Sequence, residues 1–220
     1  MPDVSQRWQN RLFAKSVGAV YAAAIERRSV ARSAGRLLFG TDVDHIYRAM
    51  DVVAEMPNGS TILDVPCGGG VALRRLRPGQ QVRYVAIDIS PEMLDLARRN
   101  LLPQQREQVE FIEASIEQIP FGEDEFDLCV CFNGLHCLPD PAAAVRELAR
   151  CLKPGGRLIG DFATRGRLRR SDAYMALMRA SGAFGPAGTL ADARRWLTEA
   201  GLNVDELECS GAITHFAAHK

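Results

Sequence analysis

Apolar positions follow two patterns along this chain. Thr61–Val65, Val82–Ile87, Val109–Ala114, Phe126–Phe132 and Arg157–Phe162 are short, nearly continuous apolar runs, as in strands buried on both faces of a parallel sheet. Between and after them apolar residues recur at helical spacing. That pattern predicts helices at Val71–Leu76, Ser90–Leu101, Pro141–Cys151, near Ser171–Ser181 and at Leu190–Ala200. Ser90 before Pro91 marks one start, with serine at the N-cap and proline at the first helical position. Strands alternating with helices predict an α/β, doubly wound sheet. The tail, Asn203–Cys209 and Ala212–Ala218 about Ser210 and Gly211, reads as a hairpin.

Upstream, Ser5–Met56 is rich in Ala, Leu, Arg and Glu and has no strand-like run, so two or three helices are expected. Thr41 with Asp44 resembles a capping box, with Asp in place of Glu or Gln, and opens a helix predicted over Asp42–Glu55. Val43, Ile46, Met50, Val53 and Ala54 form its stripe against the sheet.

Asp64 interrupts the first strand. A buried, unpaired acid costs several kcal/mol, so Asp64 is expected to face the crevice at the strand's carboxyl end, where ligand or water can meet it. Gly68, Gly69 and Gly70 follow. Without Cβ atoms the backbone can take a positive φ and a ligand can lie against it, although triple glycine also occurs in plain flexible loops. Asp88 ends the second strand about 20 residues past the first glycine, the separation at which an acid meets a ribose. A nucleoside is therefore expected. A dinucleotide fingerprint counted from Gly68 would need glycine where Leu73 stands, and Asp64 has no use beside a pyrophosphate. It suits a cationic amino group instead.

The stretches DVPCGGG (Asp64–Gly70), AIDIS (Ala86–Ser90) and LKPGGRLIG (Leu152–Gly160) resemble motifs of the class I S-adenosylmethionine-dependent methyltransferases. In particular they are similar to the branch that includes the ubiquinone and menaquinone C-methyltransferases, with its type 11 methyltransferase domain. The resemblance spans roughly Thr61 to Gly160. It implies a Rossmann-like sheet of seven strands with an antiparallel C-terminal hairpin and helices on both faces. Residues 1–56 would then be a helical cap over the active site, and 57–220 the cofactor-binding core of one compact domain. S-adenosyl-L-methionine would be the cofactor and a small molecule the methyl acceptor.

The resemblance also implies roles. Asp64, Pro66, Gly68, Gly70 and Asp88 would line the cofactor, with Ile89 and Met93 beside its adenine. Ser115 and Ile116 stand in what looks like the family's adenine loop. Many relatives carry an acid where Ser115 stands; a serine oxygen also accepts, more weakly, so recognition there would rest on backbone groups around Ser115 and Ile116, with Glu117 as an alternative partner. Asn133 and Gly134 would lie along the methionine part and His136 near the reactive methyl. An unperturbed histidine suits a general base at neutral pH, and it would equally serve to pack or cap a helix start. The KPGG at Lys153–Gly156 reads as a tight turn into the fifth strand. Asp161 and Phe162 at that strand's end are candidates to face the acceptor, and Tyr21 is the aromatic candidate from the N-terminal segment, with Trp8 and Phe13 beside it. Arg27, Arg28, Arg32 and Arg36 read as a solvated face, the loop Arg165–Arg170 as a solvated lid, and Gly182–Gly188 as a mobile loop over the pocket.

Composition narrows the partners. With 27 Lys and Arg against 27 Asp and Glu, the formal net charge is zero. No global field draws the chain to nucleic acid or to an anionic membrane. Its 220 residues suit one α/β domain. The six cysteines include no C-x-x-C pair and are expected as reduced thiols, with no metal site. Cys67 beside the glycines is a small filler or, on another reading, a nucleophile. No segment approaches the ~20 apolar residues needed to cross a bilayer, and MPDVSQRW has no apolar core, so membrane insertion is not expected and a cytoplasmic location is. Two other functions would use the same motifs: a ligand-binding regulatory or interaction module without methyl transfer, and a nicotinamide-dependent reductase, which Leu73 opposes.

Overall fold

The computed structural model describes residues 4–9 and 28–220, save the side chain of residue 28. Tyr21, Phe13, Arg27 and the Arg28 side chain lie outside the described residues. The N-terminal helices are α1 (Val4–Gln9), α2 (Arg28–Ala34), α3 (Asp44–Ala49) and α4 (Val52–Glu55). Then come β1 (Thr61–Asp64), β2 (Arg83–Asp88), α5 (Pro91–Asn100), β3 (Val109–Glu113), β4 (Phe126–Phe132), α6 (Pro141–Cys151) and β5 (Leu152–Ala163). The chain finishes with α7 (Arg169–Ala180), α8 (Leu190–Glu199), β6 (Asn203–Ser210) and β7 (Ile213–His219).

The strands form one seven-stranded sheet in the order β3-β2-β1-β4-β5-β7-β6. β1 to β5 run parallel, and β7 lies antiparallel between β5 and β6. The order reverses between β1 and β4, which opens a crevice at the carboxyl ends of these strands. One core, holding Ile62, Tyr84, Val130 and Ile159, packs under Ile46, Met50, Leu94 and Met175 of α3, its C-cap, α5 and α7. The other, holding Leu63, Val85, Cys129 and Leu158, packs under Val145 and Leu148 of α6 and Trp196 of α8. Helices thus cover both faces of this doubly wound α/β fold.

Four local expectations change. The helix predicted over Asp42–Glu55 is two short helices, broken at Met50 and Asp51, though Val43, Ile46, Met50 and Val53 are buried as the stripe requires. Thr41 caps nothing: its Oγ donates to Ser210 Oγ at 2.8 Å, while Asp42 Oδ1 accepts from the Asp44 N–H at 3.1 Å, a local side-chain turn that competes with a cap. Over Val71–Leu76 only one 3-10 turn forms, Leu73–Arg75, because Pro78 and Gly79, with φ 77°, stop the helix at once. KPGG, finally, lies within β5 rather than before it. Its register against β4 jumps between Phe126 and Leu128, and the looped-out segment is tied to the chain's last residue by Gly155 N–H to Lys220 O (2.9 Å) and Lys220 N–H to Gly156 O (3.0 Å).

Candidate functional site

Alternation along a strand puts Ile62 and Asp64 of β1 on one face, level with Tyr84 and Ala86 of β2. Asp64 is 2% exposed, and Tyr84 donates its hydroxyl to Asp64 Oδ2 at 2.7 Å. Burial pushes the Asp64 carboxyl up to about 7 against the pull of that hydrogen bond, and the nearby charge of Asp88 adds to the rise. Tyr84 escaped the sequence reading. Its signal was there, a hydroxyl inside an apolar strand two residues before Ala86, on the face of Asp64.

The glycine turn holds the second acid. Gly68 has φ 51°, and its N–H donates to Asp88 Oδ2 at 2.9 Å, while the Ser90 N–H donates to Asp88 Oδ1 at 2.9 Å. Burial pushes Asp88 up to about 6, with these backbone donors opposing. A Cβ built at Gly68 meets nothing within 4 Å, so the bare backbone faces open space. Gly70, at φ 77°, instead lies against Ala97 of α5, where a Cβ would come within 3.2 Å. Cys67 is a filler: it is 7% exposed, and burial holds its thiol well above the ordinary range, which opposes a thiolate nucleophile.

Beside Asp88 the β3 exit is tied in by Ala114 N–H to Asp88 O at 3.2 Å. That bond brings Ser115 and the buried Ile116 to the same strand ends as Ile89, which is half-buried, and Met93. Ser115 Oγ accepts from the Glu117 N–H at 3.2 Å. Glu117 turns away, its Oε1 accepting from the Asp140 N–H at 2.9 Å ahead of α6.

After β4 the backbone turns sharply. Asn133 has φ 53°, and its N–H donates to both the backbone oxygen and Oδ1 of Asp161, each at 3.0 Å. A Cβ at Gly134 would lie 2.5 Å from Pro66 Cδ, so glycine there lets the β4 loop close on the β1 turn. His136 is 3% exposed, and its Nδ1 accepts from the Ala163 N–H at 3.2 Å. Burial lowers its pKa to about 4. The ring is neutral, with its basic nitrogen engaged and its proton on Nε2, an arrangement that donates a hydrogen bond.

Asp161 is fully buried, and burial raises it to about 7. Phe162 faces the other way, packed on Trp196 at 5.8 Å between centroids, because neighbours on a strand point to opposite faces. The segment 182–188 is packed down rather than loose: Gly185 N–H donates to His136 O at 2.9 Å, and Phe184 meets the His136 ring edge-on at 4.5 Å. Trp8 reaches this loop, its Nε1–H donating to Ala183 O at 3.0 Å. The described residues contain no group of three metal-ligating side chains, and none of their helices is long and apolar enough to cross a membrane.

The site as a whole is two buried acids astride a bare glycine turn, flanked by apolar residues at the exits of β2 and β3. The acids and the open backbone at Gly68 match a ligand that carries a cationic group and vicinal hydroxyls. The methyltransferase domain family matches residues 63–160 of this chain. The ubiquinone biosynthesis O-methyltransferase of Xanthomonas axonopodis pv. citri is 33% identical over 165 residues, 69% of this chain and 66% of that one. The demethylmenaquinone methyltransferase of Clavibacter sepedonicus is 34% identical over 145 residues, 65% of this chain and 58% of that one. The chain thus spans about two thirds or less of these relatives' length. Among solved structures, a putative methyltransferase of Haloferax volcanii, determined in complex with the Trm112 methyltransferase activator, superposes with a TM-score of 0.74 at 18% identity, covering 94% of this chain and 95% of that one.

Proposed function

We propose that this chain, which belongs to the class I S-adenosylmethionine-dependent methyltransferases, transfers the methyl group of S-adenosyl-L-methionine to a small-molecule acceptor by in-line displacement. The observation that carries the reading is the pair of buried acids, Asp64 and Asp88, held across a glycine turn whose backbone is open at Gly68. Bound there, the cofactor supplies a methyl group already activated on a sulfonium.

The chain's own task is then to orient and to exclude water. Asp64, steadied by Tyr84, would meet the cofactor's amino group, and Asp88 its ribose hydroxyls. Ile89 and Met93 would flank the adenine, with Ser115 and Ile116 at its edge, while Pro66, Gly70, Asn133 and Gly134 shape the rest of the groove. His136, locked as an Nε2–H donor, would orient a polar group near the methyl rather than remove a proton. Residues 1–56 would close the acceptor side over the core of 57–220; the bond from Trp8 to the 182–188 loop supports that closure. Well-arranged orientation can supply roughly 7–11 kcal/mol of the barrier. The names of the two relatives, a ubiquinone biosynthesis O-methyltransferase and a demethylmenaquinone methyltransferase, support an acceptor that is a quinone or a quinone precursor.

Calorimetric titration with S-adenosyl-L-methionine and, separately, NADH tests the reading. Micromolar binding of the first alone is expected, with a large loss in Asp88→Ala. Unchanged affinity in that variant would sink the ribose assignment, and binding without turnover over a phenol and quinol panel would favour a regulatory module.

A further inference from the structure

At the carboxyl end of β5 the cross-strand register sets Asp161 opposite His215 of β7. Directly opposed residues of an antiparallel pair project from the same face. Here that face carries Ile159, Ala163 and Ile213 and lies beneath α3. Asp161 is 0% and His215 4% exposed. Buried polar atoms almost always have hydrogen-bond partners, yet Asp161 Oδ2 and both ring nitrogens of His215 have none among the described residues. Neither side chain is free to turn and find one. Asp161 is held by the Asn133 N–H on its other oxygen, and His215 is stacked on His45 of α3, centroids 4.4 Å apart and planes at 22°. The pair sits level with Phe132, the last residue of β4, where the loop carrying Asn133 and His136 begins. Phe39 and Phe184 pack against the same apolar cluster. Fixed, unsatisfied polar atoms set in an apolar and aromatic wall at the crevice end of the strands describe half of a binding site. The missing half is a ligand with an apolar ring and one group that both donates and accepts.

The geometry points to Asp161 and His215 as the pair that receives the hydroxyl of a phenolic or enolic methyl acceptor. This assignment rests on the methyl-transfer reading above and names the acceptor's chemistry. The hydroxyl donates to Asp161 Oδ2, and its oxygen accepts from a ring N–H of His215. In the transfer the acceptor's O–H bond breaks and its proton passes to Asp161, leaving a neutral carboxyl. The oxygen forms the new O–CH3 bond, and the C–S bond breaks with its electron pair kept by sulfur, so that the sulfonium becomes a thioether. No further reactant is consumed. His45 acts through His215, as a positioning residue.

The probe is 4-nitrophenol, whose absorption reports its own ionisation, with 4-nitroanisole, which lacks the hydroxyl, as the control. Each is titrated into the full chain alone and with S-adenosylhomocysteine. The wild-type protein is expected to prefer the phenol about tenfold or more, the worth of a charge-assisted hydrogen bond. Asp161→Asn and His215→Gln are each expected to abolish that preference while leaving the S-adenosyl-L-methionine titration unchanged, which also shows that the variants are folded. A wild-type protein that binds the two compounds equally, or neither at millimolar concentration, overturns the assignment, as does a preference that survives in both variants. Because the phenol titration is read without cofactor, failure to bind S-adenosyl-L-methionine would instead strike the methyl-transfer reading.

Discussion

Asp64 and Asp88 end the neighbouring strands β1 and β2, Asp161 lies near the carboxyl end of β5 beyond β4, and burial raises the three carboxyls to about 7, 6 and 7. An acid whose pKa is higher in the folded protein than in the unfolded chain contributes stability below its unfolded value, and that contribution is lost as pH rises through the folded value. For Asp161 the window runs from about 4 to about 7. Among the described residues only one of its oxygens has a partner, so the charged form is poorly compensated. Asp161→Asn keeps an oxygen for the Asn133 N–H and removes the charge. Relative to wild type, the variant is expected to gain stability between pH 5 and pH 8, on the order of 2–4 kcal/mol. Urea unfolding at the two pH values measures the gain. A difference that does not change with pH would show that burial of the charge is not the cause. An acid kept at such a cost beside an unpartnered histidine is the mark of a residue held for a ligand.

At the scale of elements, the chain was legible where its own side chains end a segment. Ser90 caps α5 as its position before Pro91 predicts, its Oγ accepting from the Met93 N–H, and Asp140 does the same for α6. β4 and α6 match their predicted bounds, Phe126–Phe132 and Pro141–Cys151. Elements whose ends are set from far away were not legible. The looped-out segment in β5 is pinned by Lys220, and Thr41 is drawn off to Ser210, partners no local pattern contains. The capped start of α5 allows a separation of roles. Ser90→Ala is expected to cost about 1 kcal/mol of stability, the usual worth of an N-cap side chain. Asp88 is held by the Ser90 backbone N–H and not by its hydroxyl, so cofactor affinity should stay within about twofold. Thermal unfolding and calorimetry on the same variant check both halves. A tenfold loss of affinity would mean that the cap, and not the backbone, positions the acid.

For the whole molecule the two sides of the crevice differ in how they are encoded. The side proposed for the cofactor draws on residues 64–133, one stretch of sequence marked by glycines and strand-end acids, so its motifs were visible. On the other side, residues 45, 161 and 215 are brought together by the insertion of β7 between β5 and β6 and by α3 lying over it. Only Asp161 could be named in advance, from its place at a strand end, because the pairing of a C-terminal hairpin with an N-terminal helix leaves no local signature. On the proposed reading, the same architecture couples the cofactor to protons. Asp64 and Asp88 lie on one face, close enough that the charge of Asp88 raises Asp64. A ligand bringing a cationic amino group to the first and hydroxyl donors to the second favours the ionised form of both. Binding must therefore release protons in the range where these acids still hold them, near and below pH 6 to 7. Affinity for S-adenosyl-L-methionine is expected to fall as pH drops from 8 to 5, approaching tenfold per unit for each acid once the pH is below its value. Calorimetry in buffers of different ionisation enthalpy would show the released protons directly. Affinity that stays flat across this range, with no proton released, would mean that neither acid meets the cofactor and that the open turn at Gly68 serves another ligand.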